Sequence, residues 1–185
     1  VKLEVVLTVD IDESLRPQLL AWLNQEFAAY ADEYAWAIAD WHVLAWEGEL
    51  LVSHVDITER TASVGGKELR LGGIGGVVTL QEWRRGGIAT RALQKAASFL
   101  RDELAVPFGL LVCDPGLTPF YQKLGWQVVA GPLIFDQPAS FQPGLDQVIS
   151  GGPTYKVTLE GAIMVLPCRE HNWPAGLIDL CGLPW

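Results

Sequence analysis

Arg84-Arg85-Gly86-Gly87-Ile88-Ala89-Thr90 joins two segments of different periodicity. Upstream, Glu68 to Leu80 is β-prone and reads as a long strand. Downstream, from about Ile88 to Leu104, Ala92, Leu93, Ala96, Ala97 and Leu100 recur at helical spacing. A helix that opens directly on glycines leaves the N–H groups of its first turn unpaired. Together with the macrodipole, those groups hold an anion such as a phosphate. Gly86 and Gly87 let a ligand approach the backbone, Arg84 and Arg85 add positive charge, and Thr90 supplies a hydroxyl. The Gly-Lys-Ser/Thr ending of a Walker loop and the G-x-G-x-x-G dinucleotide pattern are both missing. Gly72, Gly73, Gly75 and Gly76 interrupt the preceding strand, which predicts a bulge or a close approach by another backbone or a ligand.

Working toward the N-terminus, Leu50 to Arg60 and His42 to Trp46 read as strands around the turn Glu47-Gly48-Glu49. Tyr30 to Asp40 mixes aromatics with Asp32, Glu33 and Asp40 and fits a short helix or a loop. Leu15, Leu19, Leu20, Leu23 and Phe27 predict a helix to about Ala29, with N-cap chemistry in Asp10 to Ser14, and Lys2 to Val9 predicts a first strand. Toward the C-terminus, Pro107 to Cys113 is a buried-type strand and Thr118-Pro119 opens a short helix that Gly125 closes. Trp126 to Ala130 and Tyr155 to Leu166 follow as strands, and residues 136–154 read as a surface loop or flap. This order predicts an α+β fold with a mixed sheet flanked by helices.

The chain has 185 residues, within the roughly 100–200 of one domain, so residues 1–185 are expected to be a single domain. Half of the residues are hydrophobic and 19% are charged, which excludes a disordered chain. No run approaches the roughly 18 apolar residues of a membrane span. Val1 to Leu7 lacks the pattern of a secretory leader. The net charge of −9 argues against a nucleic-acid binder and favours a cationic small-molecule partner wherever acids face a cleft. Cys113, Cys168 and Cys181 are odd in number and form no CxxC pair, so neither a disulfide framework nor a zinc site is expected, and a reducing cytoplasm fits. His42, His54 and His171 are scattered without metal-ligand spacing, and no metal is expected.

The strand, the R-x-x-G-x-A turn, its helix, the next strand and then Phe120-Tyr121-Gln122-Lys123-Leu124-Gly125-Trp126 resemble the GNAT superfamily of acyl-CoA-dependent N-acetyltransferases. Within it, the early acidic and aromatic stretch, His42-Val43-Leu44-Ala45-Trp46, Ile163-Met164-Val165-Leu166-Pro167 and the final Trp185 are similar to aminoglycoside 2'-N-acetyltransferases. Leu104 to Gly109 and Trp173 to Asp179 also resemble rhizobial Nod-factor N-acyltransferases.

The resemblance implies acetyl-CoA as cosubstrate. Its diphosphate would lie on Arg84, Arg85, Gly86, Gly87, Ile88, Ala89 and Thr90, and its pantetheine arm would pair with Val77, Val78 and Thr79 as an added strand. Tyr121 would protonate the departing thiolate. The 2'-acetyltransferase pattern carries a glutamate on the strand before the turn, where this sequence has Gly75, so the base must come from elsewhere. Asp32, Glu33, Asp40, Asp114 and the Trp185 carboxylate are the candidates. Asp32, Glu33, Asp40, Asp179 and Trp185 are the expected substrate contacts, and Tyr34, Trp36 and Trp41 could wall the site. The implied activity is N-acetylation of an aminoglycoside, at the 2' amine, conferring resistance. Two alternatives stand beside it, an acyltransferase for another amine or amino sugar and a non-catalytic acyl-CoA-binding domain. Relatives of this kind are often homodimers.

Overall fold

The computed structural model describes residues 1–29, 33–141 and 152–185. In chain order the elements are β1 (Lys2–Leu7), α1 (Arg16–Glu26), β2 (Trp41–Glu47), β3 (Leu50–Val64), β4 (Lys67–Thr79), α2 (Ile88–Asp102), β5 (Phe108–Cys113), α3 (Thr118–Gln122), β6 (Gln127–Val128), β7 (Leu133–Pro138), β8 (Thr154–Thr158), β9 (Ala162–Pro167) and β10 (Ile178–Asp179). The strands form one sheet in the order β6-β9-β5-β4-β3-β10-β7-β8, and β2 joins β3 beside β10 and carries β1. β4 runs parallel to β5, and β10 parallel to β7; the other pairs are antiparallel, so the sheet is mixed as expected.

Alternation along β3 and β4 assigns the two faces. Val55, Ile57 and Ile74 face α2, whose Ala92, Leu93, Ala96 and Leu100 complete a buried cluster with Tyr121 and Trp126. Ala97, expected in this stripe, lies at the cluster's margin and is only partly covered. The opposite face carries His54, Asp56, Thr58 and Arg60 of β3. Toward β1 and β2, α1 covers a smaller group, with Leu19 packed beside Ile11, Leu44 and Leu51. Leu19 is the one buried residue of α1, and Leu20, expected inside, is exposed. A helix touching the sheet along one edge buries a narrower stripe than the sequence offered.

Two expectations at the C-terminal half are corrected. Tyr155 to Leu166 is not one strand. The chain breaks at Gly161 (φ +135), so that β8 pairs with β7 while β9 crosses to lie between β5 and β6. The flap expected over 136–154 is partly sheet at its ends, because β7 reaches Pro138 and β8 starts at Thr154, with Ala139 N–H bonded to the Pro153 carbonyl at 2.9 Å. Residues 142–151 of that segment lie outside the described residues. No helix among the described residues is long and apolar enough to cross a membrane.

Candidate active site

β4 and β5 pair only where Leu71–Gly73 meet Phe108–Leu110. β5 stays on β9 for its whole length, while β4 stays on β3 as far as Thr79. Each strand follows its outer partner, and past Gly73 the two diverge. The inner edge of β4 from Ile74 onward has no strand neighbour, the arrangement to which an extended ligand adds as a strand. Within this stretch the single residue Val55 of β3 stands opposite both Gly76 and Val77, a β-bulge in which Gly76 adopts φ +52. A bulge of this kind bends the strand and takes a peptide group out of the ladder. Of the three residues expected to meet the pantetheine arm, two already use their carbonyls. Ser53 Oγ donates to Val78 O at 2.7 Å and Arg84 Nε donates to Thr79 O at 2.8 Å.

The glycine turn lies at the wide end of this opening. Gly87 caps α2 at φ +76, a left-handed conformation that glycine adopts without strain. The first helical bond runs from Arg91 N–H to Gly87 O at 3.1 Å, so the amides of Ile88, Ala89 and Thr90 precede the ladder and have no helical acceptor. Arg85 holds φ +65, which costs a non-glycine residue about 1–2 kcal/mol. The two arginines differ in role. Arg84 is tied to Glu26 of α1 at 2.6 Å as well as to Thr79, so it braces the turn. Arg85, exposed, is the cation presented to solvent.

Tyr121 and Trp185 flank the opening from opposite faces of the sheet. Tyr121 belongs to the α2-side cluster, edge-on to Trp126 at 6.3 Å, and is 6% exposed. Burial, with a smaller contribution from Cys113, pushes its phenol up to about 12. It therefore keeps its proton through the neutral range, as a general acid requires. Trp185 lies on the other face. A β-carbon at residue 73 would overlap its indole, and one at residue 75 would stand 2.9 Å from its main-chain carbonyl carbon. Arg60 covers the same indole at 5.2 Å and donates to the Leu183 carbonyl. The interrupting glycines at 73 and 75 are thus explained: they clear a bed for Trp185, and the end of Trp185 fills the space a side chain at 75 would take.

The acidic candidates separate on inspection. Ala37 N–H donates to Pro184 O at 2.7 Å, and Gln137 pairs with both main-chain groups of Ala35 (2.9 and 3.0 Å), so the segment carrying Glu33 and Asp40 is fastened beside the C-terminal tail. Glu33 is exposed and borders Tyr34, whose phenol is raised by burial and by that carboxylate. Asp40 caps the Glu59 N–H at 2.8 Å. Asp179 is paired with Lys156 at 2.7 Å, and the same ammonium also reaches Asp136 at 2.9 Å, so one cation is shared by two carboxylates. Asp114 accepts from Gly116 N–H of its own turn at 2.7 Å through Oδ1. Asp32 lies outside the described residues.

One acid went unread in the sequence. The β2–β3 register sets His42 against Asp56, and Asp56 Oδ1 lies 2.7 Å from His42 Nδ1 and 3.0 Å from His54 Nε2. Burial pushes the Asp56 carboxyl up, but the facing imidazoles outweigh it and hold the group below the usual carboxylate range. Two of the three histidines, His42 and His54, therefore meet in space, while His171 is exposed and stands apart from them. The signal was available in the alternation His54-x-Asp56 on a strand whose hairpin partner carries His42.

The Acetyltransferase (GNAT) domain family matches residues 9–129, which run from just after β1 to just past β6 and include both the turn and Tyr121. The chain belongs to the GNAT acetyltransferase family. Among curated relatives, an aminoglycoside 2'-N-acetyltransferase of Mycolicibacterium fortuitum is 25% identical over 137 residues, 73% of this chain and 69% of that protein. The fold of this GNAT domain is similar to that of Escherichia coli ElaA (TM-score 0.61, 17% identity, 89% of this chain and 98% of that one). It is also similar to E. coli YhbS, solved in complex with CoA (TM-score 0.57, 18% identity, 98% and 94% of the two chains). The likeness to a GCN5-related N-acetyltransferase from Kribbella flavida (TM-score 0.51, 22% identity) covers 69% of this chain and only 34% of that larger one.

Proposed function

We propose that this GNAT domain transfers an acetyl group from acetyl-CoA to an amine of a polycationic amino sugar, an aminoglycoside, with the 2' amine as the favoured position. The observation that carries the reading is the divergence of β4 from β5 past Gly73, flanked by Tyr121 on one face and Trp185 on the other. A pantetheine arm along the inner edge of β4 brings the thioester to the Gly76–Val77 bulge. Its diphosphate then meets the amides of Ile88, Ala89 and Thr90, with Gly86 and Gly87 clearing the approach and Arg85 adding charge. In the proposed reaction the neutral amine attacks the thioester carbon and the oxyanion is held by bulge N–H groups. The C–S bond breaks, the thiolate takes the proton of Tyr121, and the proton released by the amine goes to a carboxylate of the acidic segment fastened beside Trp185, for which Glu33 and Asp40 are the candidates. Tyr121 recovers its proton from solvent.

The substrate class is supported by the net charge of −9, by the tethering of the Glu33–Asp40 segment beside Trp185, and by the 25% identical relative. Incubation with acetyl-CoA and a panel of aminoglycosides, followed by thiol release, tests it. Release with 2'-amino compounds is expected. Release only with other amines would overturn the position, and no release with any aminoglycoside would overturn the substrate class. Gly75, in place of the glutamate of the 2' enzymes, favours a second reading in which the acyl donor or amine differs. Comparing acetyl-CoA with octanoyl-CoA turnover separates the two.

Two smaller effects follow. Gly87→Ala places a β-carbon at φ +76, so it should cost about 1–2 kcal/mol of stability and weaken coenzyme A binding several-fold. Thermal melts and a CoA titration check this. Because Tyr121 is raised to about 12, activity should rise with pH as the amine deprotonates and show no fall from this phenol at about pH 10, its ordinary value. A falling limb near pH 10 that vanishes in Tyr121→Phe would contradict it.

A further inference from the structure

We propose that His42, His54 and Asp56 form a facial binding site for a first-row divalent transition-metal ion, on the face of the sheet opposite α2. The argument begins with the outer nitrogens. His54 Nδ1 lies 3.0 Å from the carbonyl of Gly76, which can only accept, so Nδ1 carries the hydrogen. His42 Nε2 lies 2.9 Å from Thr8 Oγ1, whose one hydrogen is directed at the Ala39 carbonyl, so His42 Nε2 carries a hydrogen as well. In the neutral rings the inner nitrogens, His42 Nδ1 and His54 Nε2, therefore both present lone pairs. They face each other at 2.8 Å and face Asp56 Oδ1 at 2.7 and 3.0 Å. Three electron-pair donors thus meet with no hydrogen between them. Asp56 Oδ1 is fully covered and lacks a hydrogen-bond donor. Such a centre is satisfied by a positive charge, either a proton that turns one ring into an imidazolium or a bound metal ion.

The dimensions select the kind of cation. Three ligands on one face of an octahedron, each about 2.0–2.1 Å from the metal, stand about 2.9 Å apart. The three edges found here match that spacing without movement of the strands. Two imidazoles and one carboxylate are the donors that bind first-row divalent metals, and ring N–H groups held by a carbonyl and a hydroxyl are the outer contacts that fix such ligands. His42 and His54 are buried at 8% and 0% exposure, while the Asp56 side chain retains 16%. The ion would clamp β2 to β3 beneath the Gly76 bulge, and its binding does not depend on the acyl-transfer reading.

The test uses the full chain, stripped with chelator and then titrated with Zn²⁺ or Co²⁺. One equivalent should remain bound after desalting, the melting temperature should rise, and Co²⁺ should give a visible spectrum without thiolate charge-transfer bands. Asp56→Asn and His42→Gln, each checked for native circular dichroism, should lose at least tenfold in affinity, whereas Cys181→Ser and His171→Ala should not. The proposal is overturned if no metal is retained and the melt does not move, in which case protons fill the centre. It is equally overturned if Asp56→Asn, correctly folded, binds as well as the parent, or if the exposed Cys181 or His171 accounts for the metal.

Discussion

Tyr121→Phe is expected to lower acetyl transfer about 10²–10³-fold while leaving the affinity for coenzyme A within about twofold, the range of a lost general acid. The change removes one oxygen from a side chain that is 6% exposed and otherwise packed edge-on to Trp126 and Phe120, so the ring stays in place. Loss of turnover without loss of binding identifies an interaction made in the transition state. The raised phenol sharpens the point. A phenol near 12 is a poor acid toward a free thiol of about 8.5, but the burial that raises it also disfavours the naked thiolate beside it. Proton transfer at the moment the C–S bond breaks then relieves both. If turnover persists within a fewfold in Tyr121→Phe, water protonates the leaving group and the tyrosine serves packing alone. If CoA affinity falls in parallel with turnover, the residue acts in binding.

Gly73→Ala carries the second large effect. Its β-carbon would overlap the Trp185 indole, a rigid ring held between the sheet and Arg60. Either the strand bends or Trp185 leaves its bed, and overpacking of this sort costs about 1–3 kcal/mol. For a chain of this length each kcal/mol lowers Tm by about 2–4 °C. The more telling outcome is functional. Displacing Trp185 disturbs the segment bonded to Pro184, which carries the acids that the proposal uses as proton acceptors. The kcat for amine acetylation should fall at least tenfold, and CoA binding, whose amides lie across the cleft at α2, should hold. Unchanged kcat in a folded Gly73→Ala would detach Trp185 from the chemistry.

The parts of the fold that local pattern controls were legible. The stripe Ala92-Leu93-Ala96-Leu100 placed α2, and the hairpin turn at Gly48 placed β2 and β3. The R-x-x-G-x-A turn and the Phe120-Tyr121 block marked the two ends of the cleft for the same reason: each is a contiguous run. What was missed depends on pairing between distant segments. Nothing local in Tyr155–Leu166 reveals that its second half inserts between β5 and β6. The capture of Asp179 by Lys156 joins residues 23 apart in sequence. Gly73 and Gly75 read correctly as a close approach, but the approaching group is at the far end of the chain. The Asp56 cluster was legible only in part: His54-x-Asp56 lies on the hairpin partner of the strand carrying His42, but a plain count from the Glu47-Gly48-Glu49 turn sets His42 opposite Val55, and only the bulge that skips Val52 brings it opposite Asp56.

The most direct test is a crystal structure of this chain grown with coenzyme A. The diphosphate should accept hydrogen bonds from main-chain amides within Gly86–Thr90, with the pantetheine arm along the inner edge of β4 and the sulfur within reach of Tyr121 Oη. Coenzyme A bound away from that turn, or β4 and β5 closed against each other beyond Gly73 with no ligand between them, would contradict the account.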